Sequence, residues 1–148
     1  MPLPRIPIPL AITATLVALV SIFSPAPADG VLEIEQLLQG TWLREYAADG
    51  VTVRRVLTLG AGGAFRESAR AVEAGGRATE FVHEGTWLFD GTNLKRKYTS
   101  VNGQPPSRLN VPFATFEITF EGRNAFRGKD HVRGNEVHYR RTSPDMLP

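Results

Sequence analysis

The sequence predicts an all-β fold: an eight-stranded antiparallel up-and-down barrel, or a flattened sandwich with the same strand order. Turn signals built on Gly, Asn and Asp recur at short intervals after Gly40. The segments between them are rich in Val, Thr, Phe, Tyr and Trp, and several alternate apolar with polar residues. Regular spacing of this kind is typical of consecutive β-hairpins. A parallel α/β fold would need crossover helices, and no long stretch after Gly40 has helical apolar spacing.

Composition restricts the chain to one domain and removes several classes of protein. The chain has 148 residues, 42% of them hydrophobic, and no cysteine. A disulfide scaffold, a thiolate zinc site and a cysteine nucleophile are therefore impossible. The formal net charge is only +2, so we expect neither nucleic acid nor an anionic membrane as a partner.

Residues 1–28 have the order of a secretory signal. A short start carrying Arg5 precedes an uncharged stretch over residues 10–23, and Ala26-Pro27-Ala28 follows as a small-x-small cleavage site. We expect cleavage after Ala28 and a periplasmic or secreted domain over residues 29–148, with no membrane contact after cleavage. The alternative is a retained anchor, although the stretch falls short of the ~20 residues that cross a bilayer.

The remaining elements follow in order. Residues 29–39 place Ile34, Leu37 and Leu38 at helical spacing and predict one short helix. Turn residues that tolerate positive φ then separate the predicted strands. These strands span residues 41–48, 51–59, 64–73, 77–89, 93–101, 111–121, 124–131 and 135–142.

Strand alternation predicts an enclosed interior. Phe116, Ile118 and Phe120 fall on one face of the sixth strand, with polar residues between them. Pairing of the first and last strands would remove both sheet edges, and eight strands enclose side chains or one small ligand. Residues 102–110 contain a Pro-Pro pair that cannot join a ladder, which predicts a rim or lid loop.

Two short motifs carry a resemblance to a known family. Gly40-Thr41-Trp42, directly after the helix, resembles the Gly-x-Trp opening of lipocalins and related calycins, and Gly85-Thr86-Trp87 repeats it. With the stretches GVTVRRVLTLGAGGAFRE and EGTWLFDGTNL, residues 31–142 resemble small bacterial lipocalin-like domains. Avidin-like barrels also open with Gly-Thr-Trp, but nothing further matches them. The resemblance implies a carrier or sensor rather than an enzyme, without a cofactor.

The resemblance also implies a contact at the closed end of the barrel. In lipocalins a basic residue near the end of the last strand lies over the tryptophan of the first. Tyr139 and Arg141 share a face of the last strand, so we predict Arg141 stacked on Trp42. Arg140 takes that place if the alternation slips by one residue.

Several polar residues fall on faces predicted to point inward. Arg55 shares the apolar face of the second strand and Glu67 that of the third. Unpaired buried charges cost several kcal/mol, so the two residues either pair with each other or Arg55 binds a ligand carboxylate. His83 is either a core histidine or a ligand contact. The predicted ligand-contacting set is Arg55, Glu67, Phe81, His83, Trp87 and Tyr98.

No catalytic or metal-binding residue is expected elsewhere. The pairs Asp130-His131 and Glu136-x-His138 flank a turn and indicate a solvated hairpin rather than a metal site. We expect the charges of the basic run over residues 95–97 mostly to face water, and a specific anionic partner is the alternative. Phosphate-loop, Gly-x-Ser-x-Gly and His-Glu-x-x-His motifs are absent from the sequence.

Three functions remain open. The first is an exported barrel that binds a small apolar or amphipathic ligand, and a cavity of several hundred Å³ favours it. The second is a periplasmic interaction or inhibitor module, favoured by a solid core and an exposed apolar edge. The third is an enzyme that uses a histidine or glutamate at the barrel mouth, favoured by convergence of His83 with Glu67.

Overall fold

The computed structural model describes residues 29–108 and 112–148, which form one closed antiparallel barrel in the order β1 to β8. The predicted eight-stranded fold is confirmed. The expected export signal at residues 1–28 lies outside the described residues, as does part of the predicted rim loop. The elements are α1 (Asp29–Leu38), β1 (Gly40–Ala48), β2 (Val51–Leu59), β3 (Ala64–Glu73), β4 (Ala78–Phe89), β5 (Asn93–Val101), β6 (Phe113–Phe120), β7 (Ala125–Lys129) and β8 (Glu136–Arg141).

Tight turns at predicted positions set the register of the hairpins. Asp49 has φ of 51° and Gly50 φ of 75°, and β1 and β2 pair from Ala48 and Val51 outward. Two successive left-handed residues match the right-handed twist of the flanking strands. The Asn102-Gly103 pair has the same handedness, with φ of 50° and 78°.

The barrel closes where β1 meets β8. Trp42 lies opposite Arg141, Leu43 lies opposite Arg140, and the Thr142 amide donates to the Thr41 carbonyl over 2.9 Å. Because the first and last strands pair, neither presents an open edge to another chain.

A compact apolar core fills the end of the barrel at which β1 begins. Leu38 at the end of α1 is buried there with Trp42, Leu57 and Phe126. The Trp42 indole N–H donates to the Leu38 carbonyl over 2.7 Å, and its ring meets Phe126 edge-on at 4.8 Å between centroids. The short helix is thereby fixed to the barrel by both packing and a hydrogen bond.

Arg141 covers the indole of Trp42. Its guanidinium carbon lies 4.2 Å from the ring centroid, and its Nη1 and Nη2 atoms donate to the carbonyls of Gln39 and Leu37 over 3.0 and 2.6 Å. One guanidinium therefore stacks on the core and also satisfies carbonyls at the end of α1. The alternative residue, Arg140, points outward and pairs with Glu45 over 2.9 Å.

A β-bulge explains the second Gly-Thr-Trp motif. The register between β4 and β5 shifts between Glu84 and Gly85. A Cβ atom on Gly85 would lie 1.9 Å from the Lys97 carbonyl oxygen, so only glycine fits there. The Trp87 indole N–H donates to the Gly60 carbonyl over 2.9 Å, which anchors β4 to the turn between β2 and β3.

Candidate functional site

A cavity of about 670 Å³ opens at the end of the barrel away from α1. Its volume lies in the range of small-molecule sites, roughly 300–1,000 Å³. The floor is formed by Arg55, Glu67, Arg96, Tyr98 and Tyr139, and apolar side chains of β6 and β8 contribute to the wall. The end of the barrel near α1 is therefore a packed core, while the opposite end contains an open cavity.

Glu67 is the centre of the cavity floor and is 2% exposed. Its Oε1 atom lies 3.0 Å from Nη1 of Arg55. Its Oε2 atom accepts hydrogen bonds from Nη1 of Arg96 over 3.2 Å and from the Tyr139 hydroxyl over 2.9 Å. The predicted pairing of Arg55 with Glu67 is confirmed, and two further residues join it.

The cluster keeps Glu67 ionised. Burial by itself opposes the charged form, but the positive charges of Arg96 and Arg55 hold the pKa of Glu67 well below its usual range. Burial together with the neighbouring carboxylate raises the pKa of the Tyr139 hydroxyl. Tyr139 therefore stays protonated and donates to Glu67.

Arg96 is the most enclosed cation of the floor, at 5% exposed. Its guanidinium carbon lies 5.4 Å from the ring centroid of Phe65, 5.6 Å from that of Tyr98 and 5.8 Å from that of Phe116. Its Nε atom is buried without a hydrogen-bond partner. Such an orphaned donor is costly, because a buried N–H group loses its bond to water without replacement.

Arg55 lies closer to the mouth, with 26% of its side chain exposed. Its Nε atom donates to the Tyr46 hydroxyl over 3.2 Å, while Nη1 contacts Glu67. This arginine is partly accessible to solvent, whereas Arg96 is held between aromatic rings.

The structure brings only half of the predicted ligand-contacting residues to the cavity. Arg55, Glu67 and Tyr98 line it. His83 lies beside the cluster, with Nδ1 3.7 Å from Oε1 of Glu67 and its ring edge-on to Tyr98. Trp87 belongs to the packed core, and Phe81 is 37% exposed; neither is a lining residue of this cavity.

Sequence reasoning missed two floor residues. The expectation that the basic run over residues 95–97 faces water is wrong for Arg96, although Lys95 and Lys97 are exposed. The signal was present, because Tyr98 was predicted to contact the ligand and strand alternation puts Arg96, two residues earlier, on the same face. Tyr139 was placed on the face of Arg141, but no local pattern indicates that its hydroxyl reaches Glu67.

The histidines near the last turn form isolated surface pairs. His131 contacts Glu117, and His138 lies 3.0 Å from Glu136, with all four side chains largely exposed. Within residues 29–108 and 112–148, no three potential metal ligands converge. Across the same described part of the chain, no helix has the length and apolar character needed to span a bilayer.

These features define a class of protein. Eight antiparallel strands closed into a barrel, a short helix before β1 and the Trp42–Arg141 contact give the described part of the chain a lipocalin-like β-barrel fold. No family model and no curated protein matches the sequence.

Two solved structures are similar in fold. One is a lipocalin-like protein from Bacteroides uniformis ATCC 8492, with 18% identity over 72% of this chain and 99% of that chain and a TM-score of 0.44. The other is EF1p2_mFAP2b bound to DFHBI, with 20% identity over 72% of this chain and 95% of that chain and a TM-score of 0.39.

Proposed function

We propose that the protein is an exported binding protein that holds one small amphipathic ligand in its barrel. The observation that carries this proposal is the cavity of about 670 Å³, which combines a charged floor with a wall that includes apolar side chains of β6 and β8. A ligand with a polar end and an apolar body would match both surfaces. The alternative of an interaction or inhibitor module with a solid core fits only the α1 end of the barrel.

Catalysis is the second candidate, because His83 and Glu67 do converge, at 3.7 Å. A general base works best with a pKa near the operating pH. The arginine charges lower the pKa of Glu67 far from that range, so this carboxylate serves as a counter-ion rather than a base. Binding without chemistry is therefore the function that the cluster supports best.

Export to the periplasm or the medium rests on the signal pattern of residues 1–28. Expression of the full chain in its host, followed by amino-terminal sequencing of the extracytoplasmic protein, tests this part. We expect Asp29 as the first residue. A chain that stays in the cytoplasm with residues 1–28 attached would contradict export without bearing on the cavity.

Native mass spectrometry of the protein purified from its host tests ligand binding. We expect a bound small molecule that is released on unfolding. Ala114 lies on the inner side of β6 and lines the cavity, so Ala114→Phe should block it and abolish the extra mass. Thr119→Phe, on the exposed side of the same strand, is the matched control. If no small molecule associates with the wild type, either as purified or after incubation with amphiphiles, the binding proposal fails.

A further inference from the structure

The cavity floor carries an excess positive charge. Arg55 and Arg96 face one carboxylate, that of Glu67. Burial raises the pKa of both Tyr98 and Tyr139, so neither hydroxyl supplies a compensating negative charge. At this depth the charge balance is therefore one positive unit.

The mouth does not cancel that excess. Its charged lining residues are two arginines, Arg44 and Arg133, and two acids, Asp130 and Glu136. His83, the remaining titratable group beside the floor, approaches Glu67 but carries no negative charge. An uncompensated charge in a partly desolvated site is costly, and an anion of opposite sign would relieve that cost.

The arginines also retain hydrogen-bonding capacity. A guanidinium carries five N–H donors, and each of these arginines contacts Glu67 through one Nη atom. The Nε atom of Arg96 is buried and unpartnered. Glu67 already accepts from Arg55, Arg96 and Tyr139, so a ligand oxygen would supply an additional acceptor for the remaining arginine donors.

We infer that the arginine pair receives the head group of the ligand, and that this head group is a single carboxylate. One negative charge balances the floor, whereas a phosphate monoester would bring nearly two. Arg55, partly exposed toward the mouth, makes the first contact with the carboxylate, while Glu67 holds Arg96 in place. Phe113, Phe116 and Val137 along the wall contact the apolar body.

This inference rests on the proposed function, and matched ten-carbon ligands separate the two. Isothermal titration calorimetry at pH 7 compares decanoate, decanol and decyl phosphate. A charge-assisted hydrogen bond contributes about 1.5–3 kcal/mol, so decanoate should bind at least about tenfold more tightly than decanol. Decyl phosphate should bind more weakly than decanoate.

Each outcome has one meaning. If decanol binds as tightly as decanoate, the carboxylate inference is overturned while the binding proposal stands. If decyl phosphate binds most tightly, the head group is a dianion and the charge argument fails. If none of the three ligands binds and no ligand is found by mass spectrometry, both proposals fail.

Two variants give effects of opposite sign. Arg55→Met should weaken decanoate binding about tenfold and decanol binding much less, because it removes a charged donor that interacts most strongly with a carboxylate. Glu67→Gln should tighten decanoate binding relative to decanol, because it adds one unit to the excess charge. A Glu67→Gln protein that binds decanoate more weakly than decanol would contradict the inference. Far-UV circular dichroism verifies that each variant is folded. If a variant unfolds, the comparison of the three ligands on the wild-type protein decides whether the inference holds.

Discussion

The guanidinium of Arg141 lies over the indole of Trp42 and joins the last strand to the first across the closing seam of the barrel. The glycine of the opening motif makes this contact possible. A Cβ atom on Gly40 would lie 2.6 Å from Nη1 of Arg141, and Gly40 has φ of 120°. In the Gly-Thr-Trp sequence, Gly40 leaves space for the guanidinium of Arg141 and Trp42 supplies the buried ring on which it stacks.

Replacing Arg141 should destabilise the protein strongly. Arg141→Met removes the stacked cation and two hydrogen bonds to carbonyls at the end of α1. We expect a loss of about 3 kcal/mol in the free energy of unfolding, measured by urea denaturation. Arg140→Met, which breaks only an exposed pair with Glu45, should cost less than about 1 kcal/mol. Equal losses in the two variants would show that the seam contact is energetically unimportant.

The bulge at Gly85 should tolerate no side chain. Gly85→Ala places a methyl group 1.9 Å from the Lys97 carbonyl and 2.9 Å from the Phe65 ring, so β4 and β5 must separate. The expected loss is about 3 kcal/mol or more, or failure to fold. Gly62→Ala is the control, because its Cβ meets nothing within 4 Å. Thermal denaturation followed by circular dichroism compares the two, and similar melting temperatures would refute the steric argument.

Stability should fall in acid because of Glu67. The pKa of this carboxyl is lower in the folded protein than its ordinary value of 4.5, so folding favours the ionised form. The stabilisation is complete above about pH 4.5 and is lost progressively as the pH falls below that value. Urea denaturation from pH 7 to pH 3 measures this loss.

Glu67→Gln cannot ionise, so it should be less stable than the wild type at pH 7 but should lose less stability between pH 5 and pH 3. Glu84→Gln, which alters an exposed pair with Arg66, should keep the wild-type pH dependence. If the free energy of unfolding of Glu67→Gln fell with decreasing pH as steeply as that of the wild type, the acid sensitivity would come from other groups.

Ligand binding should change tyrosine signals and leave tryptophan signals nearly constant. The three tyrosines of the chain, Tyr46, Tyr98 and Tyr139, all line the cavity. Trp42 and Trp87 belong to the packed core. Near-ultraviolet circular dichroism during titration with decanoate should change in the tyrosine bands alone. A change confined to the tryptophan bands would place the ligand outside the cavity.

The interior cluster was only partly predictable. Alternation placed Arg55 and Glu67 inward, and the cost of burying a lone charge predicted their pairing. The same alternation included Arg96, but a run of three basic residues suggested an exposed strand. The hydrogen bond from Tyr139 to Glu67 joins residues 72 positions apart, and no local pattern indicates it.

The sequence by itself determined the eight strands and the turns between them, because turn chemistry and period-two alternation are local properties. The pairing of β1 with β8 joins distant residues, and only the tertiary structure decided that the sheet closes into a barrel rather than a flattened sandwich. Only the tertiary structure decided how far the interior is filled. Alternation shows which side chains point inward, but not whether they meet across the barrel. Whether inward-pointing side chains meet depends on the height of each one along the barrel axis. Trp87 is packed in the core, whereas Phe81 is exposed. Glu67 lies between two arginines beneath an open cavity.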